Sequence, residues 1–180
     1  MLNSIRTNSS PSAEVEDAVS LLLGCHERIR HFTAVAVRLA ESQQAPASER
    51  IQAARAVLRY YAVALPLHEA DENESVYPRM KNALLSSELA NANEQMIEQH
   101  KNIDATVAEL IPMWQEVEHD PEGQDALALN DRLRDRTERL SELWSAHLKL
   151  EEEQVIPALR QHLTAEDLRA IQQEMRDRRQ

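Results

Sequence analysis

Four long stretches of this chain carry apolar residues spaced by three or four, and that spacing dictates helices with one buried face. The first stripe reads Val15, Val19, Leu22, His26, Ile29, Thr33, Ala36 and Ala40. The second reads Ala54, Val57, Tyr61, Ala64, His68 and Glu72, and the third Met96, His100, Ile103, Val107, Leu110 and Trp114. The fourth includes Leu133, Leu140, Leu143, His147, Glu151 and Val155. Only two glycines occur in 180 residues, so little material exists for tight strand turns. The spacing predicts helices over about 13–43, from 49 to the region of Pro78, from about 87 to the loop at 120–123, and from 125 to 163. Pro78 should end or kink the second helix, Ser48 is placed to cap its start, and a short tail helix follows Thr164, where Asp167 completes a capping-box variant.

Short loops between four amphipathic helices favour an all-α, up-down-up-down four-helix bundle over residues 13–163. Residues 1–12 read as a flexible start and 164–180 as a C-terminal helix that caps the bundle. One domain accounts for this length. A net charge of −11 opposes binding to nucleic acid. The basic cluster Arg176, Arg178 and Arg179 at the C-terminus reads as a frayed helix end. No apolar run is long enough for a signal peptide or a membrane span, and Cys25, the only cysteine, has no internal partner, so a soluble cytoplasmic protein is expected.

Helices two and four carry one device twice. Residues 68–78 and 147–157 both read His-x-x-x-Glu-x-Glu-x-Val-x-Pro. Helices one and three echo each other more weakly, with His26-Glu27-Arg28-Ile29 against His100-Lys101-Asn102-Ile103. Residues four apart on a helix stand one above the other, about 6 Å apart along the axis, so both side chains of such a pair can reach one ion. A single histidine on an apolar stripe is more often a satisfied core residue, and a single His-x-x-x-Glu more often a surface pair. Here four histidines and two glutamates share the buried faces, and burying them without a cation would cost several kcal/mol. Imidazole and carboxylate together suit iron, with manganese and zinc less favoured.

At these residues the chain resembles the hemerythrin-like family, also called the HHE cation-binding domain. The resemblance covers roughly 13–163 and implies a non-heme di-iron centre inside the bundle. It implies His26, His68, Glu72, His100, His147 and Glu151 as ligands, with Glu72 and Glu151 bridging. The oxygen-carrying hemerythrins have His-x-x-x-His on the third helix, whereas Asp104 stands four after His100 here. The run His68-Glu69-x-x-Glu72 is closer to the iron-sensing hemerythrin-like domain of an F-box ubiquitin-ligase subunit, which implies Glu69 as a seventh ligand. More carboxylate makes the centre harder and more anionic, which favours the ferric state over reversible oxygenation. The expected partner is therefore dioxygen or a peroxide-like molecule that is bound or sensed. A di-iron oxidase or peroxidase and an iron-responsive interaction module stand as alternatives. Of the remaining histidines, His31 and His119 read as exposed and His162 as a cap at the C-terminal end of the fourth helix. Cys25 reads as a small buried or half-buried thiol, and Glu152 and Glu153 as a solvated edge, with a supporting role behind the ligands as the alternative.

Overall fold

The computed structural model describes residues 17–83, 87–123 and 126–180. The expected helix start at 13–16, with the stripe residue Val15, the flexible N-terminus and Asp125 lie outside these. Among the described residues there is no strand.

Helix α1 spans Ala18–Glu41 and is opened by Asp17, whose carboxylate accepts the backbone N–H of Ser20 at 2.7 Å. The second rod, α2, occupies residues 47–82. It begins at Ala47 behind Pro46, so Ser48 sits inside the first turn and caps nothing. Helix α3 spans Ser87–His119. The fourth rod, α4, begins at Ala126 and runs to His162. Helix α5 spans Ala165–Asp177 and is capped by Thr164 and Asp167 in a reciprocal capping box. Each of the first four rods packs on its sequence neighbours, and α1 closes the ring against α4. The result is the up-down-up-down bundle with an extra C-terminal helix.

Pro78 does not end α2. The rod passes through a π-helical stretch at Asp71–Val76 and continues as Tyr77–Asn82 with the proline in its first turn. The same pattern recurs upstream, where π-helical Tyr60–Ala64 precedes Leu65–Ala70 and Pro66. In α4 the π stretch Glu151–Val155 precedes Ile156–His162 and Pro157. A proline in a helix lacks an N–H and crowds the carbonyl four residues back. A wider turn just before it removes both conflicts, and such turns concentrate at functional sites.

Two apolar clusters bracket the middle of the bundle. One holds Ile29, Val57, Tyr61, Ile103, Leu110, Trp114, Leu133, Leu140 and Trp144. The other joins Val19 and Leu22 of α1, Met80 of α2, Leu159 of α4, and Ile171 and Met175 of α5. The tail helix thus covers one end of the bundle. Two of its three C-terminal arginines are held in place, while Arg176 is exposed. Arg178 and Arg179 grip the carboxylate of Asp71, which has no exposed surface, at 3.0 and 2.6 Å. Arg178 also donates to the Ser75 hydroxyl at 2.8 Å. A buried charge demands such partners, and among the described residues the tail supplies them.

Candidate metal centre

Between the two apolar clusters each rod offers its polar stripe residues at one level. These are His26 from α1, His68 and Glu72 from α2, His100 from α3, and His147 and Glu151 from α4. All six are buried. The two glutamates stand in the π stretches Asp71–Val76 and Glu151–Val155.

Their ligand atoms form two groups within 4.8 Å of one another: His26, His68, Glu72 and Glu151 in one, and Glu72, His100 and His147 in the other. Nε2 of His26 lies 2.9 Å from Oε2 of Glu151. Nε2 of His68 lies 3.0 Å from Oε1 of Glu72, while Nε2 of His100 lies 3.0 Å from its other oxygen, Oε2. His100 and His147 bring their Nε2 atoms to 3.3 Å, and His147 Nε2 stands 3.7 Å from Glu151 Oε2.

This arrangement fits cations. Nε2 of His26 and of His68, both oxygens of Glu72 and Oε2 of Glu151 are buried without a hydrogen bond of acceptable geometry, although they face one another. Orphaned polar atoms are rare in folded interiors and call for a partner. Ligands about 2.1 Å from an ion and at right angles to each other stand about 3 Å apart, which matches the spacing of these atoms.

The outer nitrogens of two imidazoles are held by acceptors. Nδ1 of His26 donates to Glu152 Oε1 at 2.8 Å, and Arg30 clamps that carboxylate with two contacts at 2.8 Å. Nδ1 of His147 meets Gln99 Oε1 at 3.2 Å. A donated Nδ1–H leaves the Nε2 lone pair free for the centre and fixes the ring. Glu152 therefore belongs to the site's surroundings and not to a solvated edge, whereas Glu153 is exposed as expected. No stripe rule flags Glu152, because it follows Glu151 directly and reaches across to another helix.

Burial opposes charge on His26, His68 and His100, but neighbouring carboxylates outweigh it and hold all three above the ordinary imidazole value. Burial and the surrounding imidazoles, opposed by Glu72, push His147 down to about 3. Glu72 faces two imidazoles and, despite burial, stays well below the usual carboxylate range. Burial and the charge of Glu72 raise Glu151. Four imidazoles and two carboxylates thus share one buried, mutually interacting nest, and any cation entering it would compete with their protons.

The structure places Glu69 outside both groups. It is half-buried beside Asp104, and burial with the Asp104 charge raises its carboxyl to about 7. Asp104 itself is exposed. His31, His119 and His162 are exposed, Cys25 is buried, and Tyr61 gives its hydroxyl to a 2.8 Å contact with Thr33 rather than to an imidazole.

Residues 17–159 match the family model described as the hemerythrin HHE cation-binding domain. The chain belongs to that family. The match covers the four-rod bundle that bears the cluster, and the hemerythrin HHE domain accounts for the convergence of histidine and glutamate inside it. No curated protein matches the chain significantly. Among the described residues no helix is long and apolar enough to cross a membrane.

Proposed function

We propose that this hemerythrin HHE protein holds two non-heme irons and binds or senses dioxygen or a peroxide-like oxidant there. The observation that carries the reading is Glu72. It is common to both ligand groups, and its two oxygens face different imidazoles, His68 and His100. A carboxylate so placed is suited to link two cations and to offset part of their charge. His26, His68 and Glu151 would complete one side, and His100 and His147 the other, with Glu151 close to both His26 and His147.

Iron bound there would supply the redox-active, open-coordinated element to which a small oxidant responds. The chain's own residues set the conditions. Burial excludes bulk water from the six side chains. Glu152 and Gln99 orient His26 and His147 through their Nδ1 atoms. Burial and the neighbouring imidazoles lower the proton affinity of His147, which favours its neutral form as a ligand. No membrane or nucleic-acid role enters this reading.

The test is metal analysis of anaerobically purified protein followed by an optical spectrum in air. About two irons per chain with an oxidant-dependent charge-transfer band supports the reading. Glu72→Ala should lower the uptake of both ions together. A well-folded chain that takes up no iron under these conditions ends it.

A further inference from the structure

Two of the four imidazoles have an acceptor on the nitrogen that points away from the centre, Glu152 for His26 and Gln99 for His147. His68 has none. Its Nε2 faces Glu72 at 3.0 Å, so its Nδ1 is turned outward, and that atom is buried without a hydrogen-bond partner. The residue as a whole is 1% exposed. A metal-binding imidazole almost always donates its outer N–H to a carboxylate, a carbonyl or water, because that bond fixes the tautomer and the ring. A buried donor left alone calls for a partner. Cys25 Sγ lies near the ring but makes no hydrogen bond with this nitrogen, and sulfur is a weak acceptor.

His68 does border a cavity of about 440 Å3. The other polar walls are Cys25 and Arg28 of α1, Tyr60 of α2, and Arg179 just beyond α5. Among the described residues no carboxylate lines it. Arg28 makes no ion pair among the described residues, and its Nη2 donates to Cys25 Sγ at 3.0 Å. Arg179 is already shared with Asp71 at 2.6 Å, and its Nη2 stands 3.9 Å from the same sulfur. The cavity thus presents one unanswered positive charge, a second guanidinium, a phenol and an imidazole N–H. All of these can donate, in a chain whose net charge is −11. Walls that offer donors and cations, with no carboxylate among them, suit an anion.

We infer that this cavity binds a small oxyanion, held by Arg28 and Arg179, that accepts the Nδ1–H of His68. The site stands on the cavity itself, and its effect on the centre rests on the reading of His68 as a ligand. A guanidinium suits such a guest, because its N–H groups form a planar fork that meets two oxygens of one group together. The oxyanion is either a tetrahedral inorganic ion or the carboxylate of a small organic acid. Once seated, it does for His68 what Glu152 does for His26. It fixes the ring and raises the basicity of Nε2. Anion and cation then favour each other's binding by the same factor. His100 Nδ1 is unpartnered as well, but the nearby Glu69 carboxylate opposes an anion there.

The test starts with the metal-free full chain, at ionic strength held constant with sodium chloride, and uses sodium sulfate and sodium acetate as probes. Calorimetry should find saturable binding of at least one, and the tighter of the two tells an inorganic oxyanion from a carboxylate. Arg28→Ala should weaken it at least about tenfold, the effect of one charge-assisted hydrogen bond, and Arg28→Lys should restore part of the loss. Magnetic resonance of protein carrying isotope-labelled histidine should show the His68 Nδ1 signal move on saturation while those of His26 and His147 stay. Cys25, the only cysteine, should be alkylated by iodoacetamide more slowly with the anion present, in the wild type but not in Arg28→Ala. In anaerobic ferrous titrations sulfate should tighten iron binding up to about tenfold, a gain absent in Arg28→Ala. No saturable binding of either probe, or equal binding by Arg28→Ala, overturns the site. Binding that leaves the His68 signal unmoved overturns the anion as the acceptor, and iron affinity indifferent to bound sulfate overturns the coupling. A chain that binds the anion yet takes up no iron defeats the di-iron reading and leaves the anion site standing.

Discussion

Replacing the two tail arginines should destabilise this protein far more than their surface position suggests. Asp71 has no exposed surface, and its oxygens are held by Arg178 at 3.0 Å and Arg179 at 2.6 Å. Removing the partners of a buried charge costs about 3–5 kcal/mol, because the charge left behind has neither water nor a counter-ion. The side chains of Arg178 and Arg179 are 18% and 32% exposed, so water can partly replace them. The cost for Arg178→Ala/Arg179→Ala is therefore set at the low end, about 3 kcal/mol. In a chain of this length that corresponds to a melting point roughly 10 °C lower. Urea and thermal unfolding of the metal-free protein measure it. Adding Asp71→Asn to the double variant removes the stranded charge and should restore about 1–2 kcal/mol. A double variant within about 0.5 kcal/mol of wild type, or a triple variant no more stable than the double, would falsify the argument.

Other consequences are as direct. Glu152→Ala leaves every proposed ligand in place yet frees the His26 ring, and should weaken cation binding about 10–100-fold by calorimetric titration. An unchanged affinity would show that the His26–Glu152 contact does not orient the ring. Cation uptake should release protons, so affinity should rise with pH as His26, His68 and His100 lose theirs. In the metal-free chain the sign is opposite. These imidazoles titrate above 6.5, so their stabilisation is full below that pH and is lost as pH rises through the folded values. Raised Glu151 acts in the same direction. Glu72 and His147 are deprotonated in both states once the pH is about one unit above the ordinary imidazole value. Metal-free stability should therefore fall as pH rises through the raised imidazole values, with the lowered Cys25 thiol opposing the fall as pH approaches its ordinary value. A denaturation series that shows no fall through the imidazole range contradicts it. Leu110→Ala, buried in the cluster away from the centre, should cost about 2–5 kcal/mol in unfolding experiments while leaving cation affinity within error.

The sequence by itself determined the class of fold and the level at which the polar residues meet. Apolar spacing of three and four turns long segments into helices wherever they lie, and short loops force neighbours to run antiparallel. His26, His68, Glu72, His100, His147 and Glu151 each replace an apolar residue on those stripes, so their convergence was legible one residue at a time. The cap at Thr164 and Asp167 was legible for the same reason, because a capping box is local.

What periodicity could not supply is any contact made across helices or any departure from regular helix. Pro78 reads as a break because the rule for proline is local, while the chain adopts the wider turn at Asp71–Val76 and carries on. Glu152 and Glu153 are indistinguishable in sequence, and only the approach of α1 to α4 gives one of them an imidazole and an arginine. Arg178 and Arg179 resemble a frayed end until the tail folds back onto Asp71, over a hundred residues away in the chain. Local sequence fixes which face of a helix is buried. Which charge answers another across the bundle depends on distances that exist only after packing, and there the tertiary structure decided.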